Sequence, residues 1–438
     1  MAFAPTLRAA VLLGIGVLWI VPAWTDPRAI VLMGVWNVIV IAAMLFDFRR
    51  LPGPADLIVT RRWGGALTIG APVTVSLAIE NRGPIPIVAR LTDYAAPALR
   101  RDLPVVEMRV PARRSAEGTY HASPRERGDI ASGNVLVEWH SAWGLIDRWA
   151  QAPLEQTVRV YPDLREGRRH TMYLIRSRQV ALEKRRARRA GGGREFDRLR
   201  DYRPGDERRD VSWRVSARRG RLISKVYQPE RSQTVWLLVD AGRLLRARTG
   251  DQTLLDRATT AALALAQVAM ASGDNVGLVA YGRKVQHRLA PARGPAHMRS
   301  LTEALAVLRS EPAEANHAAA AAALAAGQKR RALIIWLTEV AETAGVPDVI
   351  EFATSLVPRH VLLFATMRQP DMATVTAARP ANATEMYRVL AAQEAADRRE
   401  TLLRGLRQRG ALVVEASPDA LASGLVDRYL EVKERGVI

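Results

Sequence analysis

The sequence predicts a mixed α/β chain in which a transmembrane helical hairpin precedes a β-rich region and a doubly wound α/β domain. Three observations carry this prediction. Two uncharged apolar runs occupy the first fifty residues; short alternating segments between turn residues follow to about residue 162; and from residue 232 continuous apolar runs of strand length are separated by helical stretches. The expected parts are residues 1–50, 51–162, 163–231 and 232–438. With 48% apolar residues the chain can fill several cores. It has no cysteine, which excludes disulfides, thiolate metal sites and cysteine nucleophiles.

The hairpin is read from residues 9–24 and 29–46, which hold no charge, joined by Thr25-Asp26-Pro27-Arg28. Each run is close to the ~20 residues that cross a bilayer core. Arg8 precedes the first run and Arg49, Arg50, Arg61 and Arg62 follow the second, so the excess of positive charge places both ends in the cytoplasm. The protein is therefore expected in the inner (cytoplasmic) membrane, multi-pass, with its soluble domains facing the cytoplasm. A cleaved signal peptide ending at Val21-Pro22-Ala23 is one alternative, and a pair of buried core helices another.

Leu51-Pro52-Gly53-Pro54 stops the second helix. The β-rich region then shows alternating runs at 73–79, 85–91, 105–110, 118–121 and 135–139, separated by turn residues, with Asn81-Arg82-Gly83 read as a hairpin turn. Six or seven short strands in about 110 residues suggest an immunoglobulin-like sandwich. Nothing in it resembles a catalytic constellation.

Charge concentrates in the next part. The whole chain has 64 Lys and Arg against 44 Asp and Glu, a net charge of +20, and residues 164–231 alone hold 22 basic against nine acidic side chains. A helix is expected over 171–190, ending in the basic run 184–189 and stopped by Gly191, Gly192 and Gly193. A phosphate-binding loop would need Lys-Ser or Lys-Thr after the last glycine, and Arg194-Glu195 stands there. Tyr202, Trp213 and Tyr227 among arginines fit base stacking, yet carboxylates every few residues argue against a nucleic-acid groove, so none is expected. The interleaved acids and arginines read as an ordered ion-pair network that caps a domain or clamps a partner. The basic run 184–189 also suits anionic lipid.

From residue 232, strands are expected at 234–239, 275–281, 285–289, 332–337, 361–366 and 411–414. Helices are expected at 254–271, 298–308, 316–326, 346–356, 385–408 and 418–433. This pattern means a parallel sheet covered on both faces, with ligands at the carboxyl ends of its strands. Asp240 stands at such an end.

These residues carry a family resemblance. Glu195-Phe196, Leu199-Arg200, Tyr202, Gly205-Asp206, Trp213, Ser216-Ala217-Arg218, Lys225 and Glu230, with Arg127-Gly128, Trp143-Gly144-Leu145 and Tyr161-Pro162 before them, resemble the bacterial family catalogued as "domain of unknown function 58". The resemblance implies an N-terminal membrane hairpin, a β-rich region and a C-terminal von Willebrand factor A-like domain. It also implies a MoxR-type AAA+ ATPase as partner, an adaptor or co-chaperone role in the assembly or maturation of client complexes, and partner binding by the signature residues.

In von Willebrand A domains the first strand ends in Asp-x-Ser-x-Ser, and a later Thr and Asp complete a divalent cation site. Here the first motif reads Asp240-Ala241-Gly242-Arg243-Leu244, the segment for the Thr reads Glu314-Ala315-Asn316-His317, and Glu339 replaces the later Asp. Gly242 and Leu244 bring no side-chain oxygen, and Arg243 brings positive charge. A vestigial site, with Asp240 capping the strand end or pairing Arg243, is expected in place of bound Mg²⁺. No two of the seven histidines lie three or four residues apart, and no Gly-x-Ser-x-Gly elbow occurs. The reading is thus a non-enzymatic adaptor without cofactor. A metal-dependent adhesion module and a hydrolase using acids of 195–210 are the alternatives.

Overall fold

The computed structural model describes residues 2–24, 26–163, 165, 195–203, 211–228, 233–340, 346–368 and 370–435. The chain divides into two compact units, Met1–Tyr161 and Pro162–Ile438.

The first unit opens with strand β1 (Ala2–Pro5), then helices α1 (Leu7–Val17), α2 (Ile20–Ala23) and α3 (Arg28–Arg50). Among the described residues α3 alone is long and apolar enough to cross a membrane; its 23 residues rise about 35 Å. The first apolar run is shorter, because it breaks at Leu18 and Trp19 between α1 and α2. Ten strands follow: β2 (Leu57–Trp63), β3 (Leu67–Thr68), β4 (Val73–Asn81), β5 (Ile87–Asp93), β6 (Val105–Val110), β7 (Arg114–Ala122), β8 (Gly128–Ser132), β9 (Val135–Ser141), β10 (Ile146–Ala152) and β11 (Gln156–Tyr161). They form sheets of order β1-β10-β9-β5-β6, β2-β4-β7 and β3-β11-β8.

The first two sheets share one core. Val75, Leu77 and Ile79 of β4 alternate inward and meet Ala89, Leu91, Val137 and Trp139 of the other sheet. Trp139 buries its ring and donates its indole N–H to the Pro52 carbonyl at 3.1 Å. Asn81-Arg82-Gly83 is not a hairpin turn: β4 pairs with β2 and β7, whereas β5 pairs with β6 and β9. Asn81 makes the crossing between sheets. Its Oδ1 accepts the Gly83 N–H at 2.9 Å, and its Nδ2 donates to the carbonyls of Ile85 and Pro111. Arg61, counted above as a juxtamembrane charge, is enclosed. Its guanidinium pairs with the buried Asp93 and donates to Ser132, Gly133 and Leu154, so it contributes no surface charge beside the hairpin.

The second unit begins, after the residues outside the description, with β12 (Glu195–Asp201) and β13 (Ile223–Gln228), an antiparallel pair carrying the helix Trp213–Arg219. The main sheet uses β14 (Thr234–Asp240), β17 (Asn275–Tyr281), β18 (Val285–Ala292), β19 (Leu333–Leu337), β20 (Val361–Met367) and β21 (Leu412–Ala416); β15 (Arg248–Thr249) and β16 (Gln252–Thr253) make a small ribbon. Its order is β18-β17-β14-β19-β20-β21, parallel except for edge strand β18. Val235, Leu237 and Val239 face the helices Leu254–Ala271 and Leu421–Arg435. Trp236 and Leu238 face His317–Gly327, Val346–Leu356 and Ala383–Gln408. With both faces covered, every residue of β19 and β20 is buried, which explains their unbroken apolar runs. The chain leaves β14 first toward β17 and later returns on its other side at β19. The end of β14 is therefore the point where the winding reverses, the usual place for a ligand in such sheets.

Candidate functional site

Asp240 closes β14 opposite Tyr281 at the end of β17, and Thr338 and Glu339 follow β19 directly. Asp240 is buried. Its Oδ1 accepts the Gly242 N–H at 2.6 Å and its Oδ2 the Thr338 hydroxyl at 2.5 Å. Burial pushes its pKa up to about 6; the bonds from Thr338 and Gly242 work against that rise, and the neighbouring Glu339 adds to it.

Glu339 is held just as firmly. It accepts from the backbone N–H groups of Val340 and Met367 and from the Thr366 hydroxyl, and it pairs with Arg399 from the helix Ala383–Gln408. The Arg399 guanidinium also donates to the carbonyls of Val340 (3.0 Å) and Met367 (2.8 Å), to Thr366 (2.9 Å) and to Glu415 (3.2 Å). Burial raises the Glu339 pKa, and Arg399 pulls it back down. Burial opposes the charge on Arg399, and Glu339 and Glu415 overcome it. On the other side of Asp240, the Tyr281 hydroxyl accepts the Trp336 indole N–H and bonds His317 Nδ1 at 3.0 Å. Burial, with Asp240 second, drives the acidity of Tyr281 far below that of a free tyrosine.

This donor set does not fit a divalent cation. A hard ion wants about six oxygens. Both Asp240 oxygens already accept internal bonds, and Glu339 belongs to Arg399. At Gly242 an added Cβ would lie 2.8 Å from the Ala315 nitrogen and 2.9 Å from its Cβ, so a serine there has no room without movement. Leu244 is half-buried in the turn Arg243–Arg246. Arg243 does not pair with Asp240; it reaches Glu314 at 3.1 Å. Among the described residues no group of three or more His, Asp or Glu is placed to hold a metal.

A second concentration of charged side chains lies on the β12–β13 ribbon. Arg200, Arg203, Arg219 and Arg221 line one pocket with Asp201, Leu199 and Ile223. Arg221 pairs with Asp201 at 3.0 Å. The register sets Leu199 opposite Lys225 and Arg200 opposite Ser224, and Glu195 and Phe196 stand at the far end of the ribbon. Ser216 is a fastener. It is buried, and its hydroxyl accepts the Ile223 N–H at 2.8 Å, which ties the short helix to β13. Tyr202 is half-buried and donates its backbone N–H to Leu222, whereas Trp213 and Arg218 are exposed on the helix. Gly205, Asp206 and Glu230 lie outside the described residues, as does the helix expected over 171–190. Arg203 stands among the interleaved arginines of the expected ion-pair network, whereas sequence reasoning missed Arg219, Arg221 and Arg399. A surplus of arginine marked the segment of Arg219 and Arg221, and nothing local marked Arg399.

The fold and these sites define a mixed α/β chain with one apolar N-terminal helix and an arginine-lined pocket on a ribbon before the main sheet. Residues 198–375 match the family model described as "Protein of unknown function DUF58". The chain is 26% identical over 185 residues to "Uncharacterized protein YeaD" of Bacillus subtilis (strain 168), a match spanning 40% of this chain and 45% of that protein. Among solved structures it is similar to the conserved hypothetical protein BatB from Bacteroides thetaiotaomicron, with TM-score 0.32 and 12% identity, covering 47% of this chain and 100% of that one. It is also similar to a PapD-like domain of human CEP192, with TM-score 0.18 and 15% identity, covering 25% of this chain and 89% of that one.

Proposed function

We propose that the protein is a membrane-anchored, non-enzymatic adaptor that docks an acidic surface of a partner through the β12–β13 ribbon. The observation that carries this reading is the pocket lined by Arg200, Arg203, Arg219 and Arg221 together with Asp201, which pairs with Arg221. Guanidinium forks suit paired carboxylates on a protein surface. By the resemblance above, the partner is a MoxR-type AAA+ ATPase, with other subunits of a membrane complex as further partners. The strand end at Asp240, in a domain of von Willebrand A type, then acts as a closed structural node without Mg²⁺. Support comes from the engagement of both acids by internal donors.

The first unit, in this reading, is a transmembrane hairpin carrying an immunoglobulin-like sandwich on the cytoplasmic side. Two observations support a common side for both hairpin ends. Strand β1, before α1, pairs with β10, and Asp47 near the end of α3 bonds Ser141 at the end of β9 and Leu145 just before β10. Arg8, Arg49 and Arg50 are exposed beside those ends, where cytoplasmic positive charge belongs. The tether would raise the local concentration of a weakly held partner.

The test is a pull-down of the purified ATPase by the full chain in detergent. Arg200→Glu with Arg219→Glu and Arg221→Glu should abolish capture while the far-UV spectrum is unchanged, as should deletion of residues 191–230. Undiminished capture by the triple variant would refute the docking role.

A further inference from the structure

We infer that the turn between β9 and β10 is a second membrane contact, and that with the end of α3 it seats the headgroup of an anionic phospholipid. This rests on the membrane reading of the hairpin. The turn, residues 141–145, is bolted to both hairpin ends. Thr6, just before α1, donates its backbone N–H to the Leu145 carbonyl at 3.1 Å and its hydroxyl to the Gly144 carbonyl. Asp47 in the last turns of α3 accepts the Ser141 hydroxyl and the Leu145 N–H. The Ser141 oxygen in turn accepts the Trp143 N–H at 3.1 Å. Gly144 sits at φ +60°, and a Cβ there would come within 3.3 Å of the Arg8 guanidinium. The turn therefore lies level with the basic collar that Arg8, Arg49 and Arg50 form where the apolar helices end.

What this fixed turn displays is an apolar ring. Trp143 is 52% exposed and Phe46 49%, and their ring centroids lie 5.7 Å apart. The Arg50 guanidinium carbon lies 5.2 Å from the centre of the Phe46 ring. A cavity opens here between Phe46, Arg50, Ile85, Pro86, Ala142 and Trp143, with Asp47 and Ser141 also lining it. An exposed tryptophan with arginine beside it, at the depth where a membrane helix ends, matches the boundary between acyl chain and headgroup. Arg50 supplies the charge for a lipid phosphate, and the Phe46 and Trp143 faces cover the glycerol and upper acyl carbons. Asp47 has both its oxygens engaged by Ser141 and Leu145.

The absence of native cysteine makes the test clean. The full chain carries a single Cys, labelled with an environment-sensitive fluorophore, at Ala142, at Val38 in mid-α3, or at Glu107 on the opposite edge strand β6. It is reconstituted into vesicles of phosphatidylcholine alone or with phosphatidylglycerol, each doped with headgroup- or acyl-nitroxide lipid. The Val38 probe should be quenched by acyl nitroxide. The Ala142 probe should be quenched by headgroup nitroxide, more strongly with phosphatidylglycerol, and the Glu107 probe should not. Arg50→Gln should weaken the phosphatidylglycerol preference roughly fivefold, since a juxtamembrane basic residue contributes ~1 kcal/mol. An Ala142 probe quenched no more than the Glu107 probe, with the Val38 probe quenched, overturns the contact and spares the hairpin. Equal quenching in the two lipids overturns the anionic headgroup. An unquenched Val38 probe overturns the membrane reading itself.

Discussion

Arg399 illustrates what a buried acid demands. Glu339 is fully enclosed, and an unpaired carboxylate in such a place is strongly unfavourable. Arg399→Met should therefore cost about 3–5 kcal/mol at neutral pH, the range for breaking one side of a buried pair. Adding Glu339→Gln should restore much of that loss, which thermal unfolding of the full chain in detergent would read; no recovery would mean that Arg399 acts through its carbonyl contacts instead. Asp240 makes a separate prediction. Its folded-state pKa of about 6 lies above its ordinary value of 3.8. The folded state therefore holds the proton more tightly, and the contribution of Asp240 to stability falls as pH rises from about 4 through 6. Asp240→Asn removes that slope, so the variant should gain on the parent by up to roughly 3 kcal/mol between pH 4 and pH 7. A parallel pair of stability–pH curves would show that Asp240 is ionised without penalty. The sequence made Asp240 legible, because a strand of apolar residues ending in a carboxylate is a local pattern. It left Arg399 illegible. The helix Ala383–Gln408 carries several arginines, and only the docking of that helix beside β20 and β21 decides which of them meets an acid 60 residues away.

At the scale of elements, what the sequence revealed depended on burial. The strands of the main sheet lie between two helical layers, so their apolar runs are continuous and their ends stand out; β14 and β17 begin where expected, and the helix Leu254–Ala271 spans the expected residues. In the first unit, strands β1, β2, β3, β8, β10 and β11 passed unnoticed. Their patterns run through half-buried positions or, in Ala2–Pro5 and Leu67–Thr68, are too short to show a period. The hairpin has a feature of its own. Gly16 of α1 faces α3 so closely that a Cβ would fall 2.4 Å from Asn37 Oδ1 and 2.6 Å from the Trp36 ring. The same approach lets the Trp36 indole donate to the Leu12 carbonyl at 2.8 Å. Gly16→Leu should force α1 away from α3 and break that bond. In thermal unfolding of the full chain in detergent, Gly16→Leu should then destabilise the first unit more than Gly14→Leu, whose Cβ meets nothing within 4 Å; equal stability of the two variants would mean that the helices tolerate the wedge.

For the whole molecule the decisive fact is that β1 and the body of the first unit share one sheet. A chain whose first strand pairs with β10 cannot leave its N-terminus across the bilayer from the β-rich region unless β1 is torn from its partner. The basic side chains left to set orientation are Arg8, Arg49, Arg50 and the exposed Arg62, since Arg61 is neutralised by Asp93 in the interior. Both lines lead to one expectation: the N-terminus and everything after residue 51 lie on the cytoplasmic side. Two protease sites, one placed before Ala2 and one within the Gly191-Gly192-Gly193 tract, should both be cut in inverted membrane vesicles and both be protected in right-side-out vesicles. Cleavage of one site in each preparation would require β1 to be unpaired in the membrane. Cleavage of both from the outer face would turn the chain over and place the arginine pocket of the β12–β13 ribbon beyond the reach of any cytoplasmic ATPase, so this single assay bears on the anchor and on the proposed partner together.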